Sequence, residues 1–218
     1  MIITRHKPFD KILEFIEDVD KIYLVGCELC AKVCKTGGED ALKKIAKKLE
    51  ENGKKITGFS VLNPACNVLE VKRLHRNAKK EIEAADAILS FACGGGTQAL
   101  AEQIKDKVVY PGNDTLFQGE IYASGIKGTQ FDQKCSLCGD CILMMTGGIC
   151  PVTRCPKGLL NGPCGGVKNG KCEIEGDIDC VWLLIYDKLK SFGQLDKMRT
   201  IKKPKDNRAR KTPQELKI

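Results

Sequence analysis

The sequence predicts an α/β fold, a small doubly wound parallel sheet of about four strands, followed by an irregular cysteine-rich region and a C-terminal helix with a basic tail. Three observations carry this expectation. Short apolar runs alternate with helix-period segments through the first half of the chain; that regularity stops near Pro111; and eight of the thirteen cysteines crowd between Cys135 and Cys180. Strands separated by helices imply parallel pairing, because parallel neighbours need a crossover and a right-handed helical connection supplies it.

Each element has its own signal. Phe9, Ile12, Leu13 and Ile16 repeat at helical spacing and lead into the apolar run Ile22-Tyr23-Leu24-Val25-Gly26, a first buried strand. Leu42, Ile45, Ala46 and Leu49 mark a helix that begins after Gly37-Gly38 and stops at Asn52-Gly53, the usual C-terminal signal. A second strand follows near Ile56 to Leu62. The pattern then recurs: Val71, Leu74, Ala78 and Ile82 form a helical face, Ala87 to Ala92 a strand, Thr97 to Ile104 a short helix, and Val108-Val109-Tyr110 a fourth strand. Residues 1–111 are therefore expected to form a Rossmann-like α/β domain.

Residues 112–198 have another character. They are too poor in apolar side chains to offset their chain entropy by burial, so a cysteine-rich, ferredoxin-like domain folded around metal is expected. Within it Val181 to Tyr186, with Leu189, form an apolar helix ending near Gly193. Residues 199–218 form a basic tail with eight Lys and Arg against Asp206 and Glu215, which leaves the body close to neutral although the chain carries +8. A basic, aromatic-free tail containing proline fits a solvated extension or a docking arm better than a nucleic-acid reader.

No stretch approaches the roughly 20 apolar residues that span a bilayer. The N-terminus also lacks the apolar run and cleavage site of a secretory signal, so a cytoplasmic location is expected. Thirteen is an odd number of cysteines, and many stand two or three residues apart, where sulfurs converge on a metal more readily than on each other. In a reducing compartment such thiols stay free unless metal takes them.

The first group is Cys27, Cys30 and Cys34, directly after the first strand; Cys66 follows the second strand and Cys93 the third. An open parallel sheet gathers the carboxyl ends of its strands on one edge, so these five thiols are expected at one rim. Either Cys93 or Cys66 would complete the triplet. Cys93 is favoured, because Cys93-Gly94-Gly95-Gly96-Thr97 opens a helix whose unhindered N–H groups can face cluster sulfides. The same glycines could cradle a phosphate, but the P-loop ending and the dinucleotide spacing are missing.

The second group is Cys135, Cys138 and Cys141, then Cys150-Pro151, Cys155-Pro156, Cys164, Cys172 and Cys180. A CxxCxxC run followed by Cys-Pro is similar to bacterial ferredoxins, although eight residues separate Cys141 from Cys150 where ferredoxins have three. Two or three [4Fe-4S] clusters are expected from twelve cysteines, with Cys66 the spare. Tetrahedral Cys₄ coordination also suits zinc, which stays open at one site. His6 and His75 are expected at the surface. The chain has no flavin motif, no Ser/His/Asp constellation and no pocketed carboxylate pair, so no catalytic residue is expected.

Several segments together resemble a known family: Cys93-Gly94-Gly95-Gly96-Thr97-Gln98, Asn113-Asp114-Thr115-Leu116-Phe117, Cys138-Gly139-Asp140-Cys141, Thr146 to Pro151, and above all Cys155-Pro156-Lys157-Gly158-Leu159-Leu160-Asn161-Gly162-Pro163-Cys164-Gly165-Gly166. Over about residues 21 to 195 the chain is similar to the MetV-type small subunits of methylenetetrahydrofolate reductases, the cysteine-rich C-terminal family. The resemblance implies an iron-sulfur subunit that takes electrons from ferredoxin or a further iron-sulfur subunit. It would pass them to the flavin of a MetF-like catalytic partner in anaerobic one-carbon metabolism of the Wood-Ljungdahl type. It also implies cluster binding by Cys27, Cys30, Cys34 and Cys93 and by the eight later cysteines. Two other roles compete: a zinc-shaped scaffold, and an adaptor or activator for a corrinoid methyltransferase. Leu116-Phe117 and the helix around Trp182 are candidate docking surfaces for a partner.

Overall fold

The structure, a computed structural model, describes residues 1–125, 128–210 and 212–216. The chain divides into two compact units, Met1–Phe117 and Gln118–Ile218.

The first unit contains β1 (Ile2–His6), α1 (Phe9–Phe15), β2 (Lys21–Cys27), α2 (Cys30–Val33), α3 (Glu39–Glu51), β3 (Lys55–Leu62), α4 (Val68–Asn77), α5 (Lys79–Ala84), β4 (Ala87–Phe91), α6 (Gly94–Gln103), β5 (Val108–Pro111) and the start of β6 (Asn113–Gly125). Four strands form a sheet of order β3-β2-β4-β5, parallel throughout. Side chains alternate across it with the period of two that a strand imposes. Tyr23, Val25 and Ile88 face one core with Val71, Leu74, Ile82 and Leu100. Ile22, Leu24, Leu89 and Phe91 face the other with Ile12, Ile16, Leu42 and Leu49. Helices thus cover both faces, α1 and α3 on one and α4 to α6 on the other, as the doubly wound pattern requires.

Local chemistry sets the helix ends. Glu39 and Asp40 lie in the first turn of α3, where carboxylates meet the positive end of the helix dipole, and the helix closes at Asn52. Asn67 caps α4 by accepting from the Leu69 N–H at 2.9 Å. The single helix expected across Val71 to Ile82 is two, because Ala78 leaves helical angles (φ −107°, ψ 28°) between α4 and α5.

Two elements lie outside the sequence expectations. β1 precedes the first helix, and the Lys7 N–H bonds to the Gly112 carbonyl at 3.0 Å. Beyond Phe117, β6 continues and pairs antiparallel with β7 (Gly128–Cys135), from Gln118 opposite Cys135 to Gly125 opposite Gly128. The strands carry Gln, Glu, Asp, Lys and Thr where a core-facing strand would alternate with apolar residues, so no apolar period signals them.

The rest of the second unit has little regular structure. Short α7 (Pro151–Arg154), α8 (Val181–Ser191) and single turns of 3₁₀ helix at Leu143–Met145, Leu195–Arg199 and Asn207–Arg210 are joined by loops. Its core is small: Val181, Trp182, Ile185 and Leu189 on α8, against which Ile149, Leu159, Leu195 and Met198 pack. The Trp182 indole N–H donates to the Leu159 carbonyl at 3.3 Å. Among the described residues no helix is long and apolar enough to cross a membrane. Of the basic tail, Lys211 and Lys217 lie outside the described residues.

Candidate metal centres

All thirteen cysteines are free thiols. Among the described residues no three of His, Cys, Asp or Glu close up tightly enough to grip a single ion. The thiols instead gather in neighbourhoods, one at the sheet edge and two in the cysteine-rich unit.

At the sheet edge, Cys27 ends β2, Cys30 opens α2, Cys66 lies in the turn after β3, and Cys93 is the N-cap of α6. Two close backbone approaches bring these pieces together. Segment Thr36-Gly37-Gly38 crosses the ends of β2 and β4, with the Gly37 carbonyl accepting from the Cys27 N–H at 2.8 Å. A Cβ on Gly37 would stand 2.1 Å from the Phe91 carbonyl oxygen, so only glycine fits. At Gly96 a Cβ would lie 2.8 Å from that of Ala92 and 3.0 Å from that of Ala65, and its absence lets the Cys66 turn press against the start of α6.

Cys66 is exposed, yet its thiol is pushed up from its ordinary pKa, first by partial enclosure and then by the nearby Cys93, Cys27 and Cys30. These four sulfurs therefore share one electrostatic neighbourhood. Cys34 lies against β1. Its Sγ accepts from the Thr4 N–H at 3.5 Å and donates to the Ile2 carbonyl at 3.8 Å, which ties α2 to β1. Cys30 Sγ also accepts from the Ile2 N–H, at 3.5 Å. The Gly94 N–H, expected to face a ligand, is taken by Thr115 Oγ1 at 2.8 Å.

His6 is half-buried, with an enclosed Nδ1 and its ring edge-on to Phe91 at 5.6 Å. Burial holds its pKa below the ordinary value, so the ring is neutral. The surface position expected for it is only half met. His75 is more open, with Nε2 4.0 Å from Asp106.

In the second unit Cys135 ends β7, and Cys138 and Cys141 lie in the loop that follows it. Leu137 and Gly139 both take left-handed angles (φ 53° and 73°), a region that costs a leucine and turns successive N–H groups inward. The Leu137 N–H accordingly points at Cys135 Sγ, 3.3 Å away. Cys150 is drawn to the same loop through Thr153, whose hydroxyl meets Cys150 Sγ at 3.5 Å and Ser136 Oγ at 3.0 Å. Lys205 from the tail lies 3.2 Å from Cys138 Sγ. Lys202, foremost, and Lys205 hold the Asp140 carboxyl below the usual carboxylate range.

The other four cysteines, Cys155, Cys164, Cys172 and Cys180, line one small pocket beside Trp182. The turn Lys168–Lys171, bonded at both ends and with Asn169 and Gly170 left-handed, aims Cys172 into it, and the Gly170 carbonyl accepts from the Cys180 N–H at 2.9 Å. Cys164 donates to Glu173 Oε1 at 3.2 Å, and Lys157 pairs with the same carboxylate. The pocket has about 20 Å³ of room for a water-sized sphere, which is space for about one water molecule. Cys155, Cys164, Cys172 and Cys180 thus stand together at one pocket, and Cys150 stands beside the Cys135–Cys138 loop through Thr153.

Residues 110–208, just under half the chain, match the family model described as methylene-tetrahydrofolate reductase C terminal. Over that span, which holds both thiol groups of the second unit, the chain is similar to that family; nearly all of the parallel-sheet unit lies outside it. No curated protein and no solved structure matches the chain.

Proposed function

We propose that this chain is an iron-sulfur electron-transfer subunit of a methylenetetrahydrofolate reductase complex, which passes electrons from ferredoxin or another iron-sulfur protein to the flavin of a MetF-like catalytic partner. The observation that carries the reading is the similarity of residues 110–208 to the reductase C-terminal family, a span in which Cys155, Cys164, Cys172 and Cys180 line one pocket. Soft thiolate donors in fours fit iron-sulfur clusters and zinc, and suit hard cations poorly.

Cys27, Cys30, Cys66 and Cys93 would hold one group, and Cys135, Cys138, Cys141 and Cys150 a second. Cys34 would be the spare: its sulfur both accepts from and donates to the β1 backbone, whereas that of Cys30 only accepts there. Bound there, four-iron clusters supply one-electron acceptance and release at potentials set by charge, hydrogen bonds to sulfur and exposure. The chain's own residues do the positioning. The sheet edge sets Cys27 and Cys93, Gly96 admits the Cys66 turn, and the left-handed Leu137 and Gly139 wrap the loop around its sulfurs.

The pocket of Cys155, Cys164, Cys172 and Cys180 favours a different occupant. The small size of the pocket favours one ion, zinc, over a four-iron cluster, and the four sulfurs would have to draw in around it, closing the turn onto α8. Anaerobic purification followed by iron, sulfide and zinc analysis tests both assignments. About eight iron, eight sulfide and one zinc per chain are expected, with co-purification of a flavin-containing barrel protein. A colourless preparation with zinc alone would leave the scaffold role standing and end the electron-transfer reading; capture of a corrinoid protein would favour the methyltransferase role.

A further inference from the structure

We propose that the first part of the C-terminal arm, Thr200–Lys205, belongs to the centre beneath it, and that Lys205 is the fixed positive charge setting the redox potential of the cluster held by Cys135, Cys138, Cys141 and Cys150. The inference rests on the cluster reading above and extends it to residues far from any cysteine in sequence.

The arm is held in register by neutral contacts. Asn161 clamps the backbone of Lys202 from both sides: its Oδ1 accepts from the Lys202 N–H at 2.7 Å, and its Nδ2 donates to the Lys202 carbonyl at 2.9 Å. From that anchor two lysines reach the Cys138–Cys141 turn. Lys202 Nζ lies 3.1 Å from Asp140 Oδ2. Lys205 Nζ donates to the Asp140 carbonyl and to Cys138 Sγ, at 3.2 Å from the sulfur, and stands 3.8 Å from Asp140 Oδ2.

The Lys205 side chain retains only 12% of its exposure, the least of any lysine engaged in an ion pair among the described residues. Enclosing an ammonium is unfavourable unless each donor finds an acceptor. Here the acceptors are a carbonyl, a carboxylate and a ligand sulfur, so the charge is directed at the thiol loop and away from solvent.

The two lysines divide the work. Asp140 places a negative charge beside the sulfurs, which alone would disfavour adding an electron; Lys202 offsets it. Lys205 then acts on Cys138 itself. A cation hydrogen-bonded to a ligand sulfur stabilises the more negative, reduced state and so raises the potential.

The test is a redox titration followed by electron paramagnetic resonance on the anaerobic full-length protein, with iron and sulfide measured on every sample. In Lys205→Met, which keeps the apolar stem, one component is expected to titrate lower. At the wild-type midpoint its oxidised-to-reduced ratio should rise about tenfold, equivalent to about 59 mV for one electron. The other component and the iron content should not change, and Lys205→Arg should restore most of the shift. Asn161→Ala, which loosens the arm without removing a charge, should give a smaller shift in the same direction. Full iron content with an unmoved midpoint in Lys205→Met overturns the inference and leaves the cluster reading intact. So does iron loss in Lys205→Met accompanied by an unmoved midpoint in Asn161→Ala. Wild-type protein without iron overturns both, and the iron assay separates the two failures.

Discussion

In Met1–Phe117 only Cys27 among the thiols is buried in the core, which is otherwise built of apolar side chains: β2 and β4 are buried on both faces, and Ile22, Leu24, Val25, Ile88 and Leu89 have 1% or less of their surface exposed. In Gln118–Ile218 four residues of α8 form the buried cluster, and four cysteines line the pocket that abuts it. Where apolar burial supplies the folding free energy, sulfur is free to be arranged for chemistry. Where it does not, the proposed metal would have to organise the loops.

Stripping metal with a chelator under reducing conditions should separate the two units most widely. A structural metal in a small domain contributes on the order of 10 kcal/mol, so amides of residues 136–180 should lose hydrogen-exchange protection while those of β2 and β4 keep it. Equal retention in both units would erase the contrast. Core truncations probe it from the other side. Leu24→Ala should cost the first unit about 2–5 kcal/mol in denaturant unfolding and leave the metal of the second unit bound. Trp182→Ala, which removes the largest member of the small core and its hydrogen bond to Leu159, should cost about 3–5 kcal/mol and loosen the Cys155–Cys180 pocket with it.

Ligand variants sharpen the comparison within the sheet-edge group. Cys66→Ser should remove one cluster's iron with the far-ultraviolet circular dichroism of the sheet unchanged, whereas Cys34→Ser should keep full iron content. The reverse outcome would restore Cys34 to the ligand set and make Cys66 the spare. A smaller effect is expected from acid. His6 has a depressed pKa in the folded state, so the folded chain binds fewer protons than the unfolded chain once pH drops below the ordinary histidine value of about 6.5. Stability of the first unit should therefore decline as pH falls through that value, and His6→Asn should flatten the decline. The smallest change is expected from Asp114→Ala. It breaks the 2.6 Å pair with Lys7 at a partly exposed site, worth about 0–1 kcal/mol.

The strands and helices of the sheet unit were legible because their signals are local. The apolar runs of β2 and β4, and the Leu42, Ile45 and Leu49 stripe of α3, each lie within a few turns or a single strand. The β6–β7 hairpin was not legible, since its faces carry polar residues on both sides and its pairing joins Gln118 to Cys135 across the turn. β1 was missed because a five-residue strand beside β6 declares itself only once β6 is in place. At the candidate centres, spacing drew attention to every cysteine and set Cys34 beside Cys27 and Cys30 in the first ligand set, with Cys66 left over. A CxxCxxxC run places Cys34 near Cys30 in sequence, and nothing in that run reports that its sulfur meets the Ile2 and Thr4 backbone.

By itself, then, the sequence determined the parallel sheet and the carboxyl-edge position of Cys27, Cys66 and Cys93, since periodicity and spacing are properties of short segments. Only the tertiary structure decided which thiols share a neighbourhood and that Lys202 and Lys205 return to Asp140 and Cys138. Most of those contacts join segments distant in sequence, and they depend on close approaches such as Ala65 against Gly96 and on the Asn161 clamp, which exist only after the backbone has folded around them.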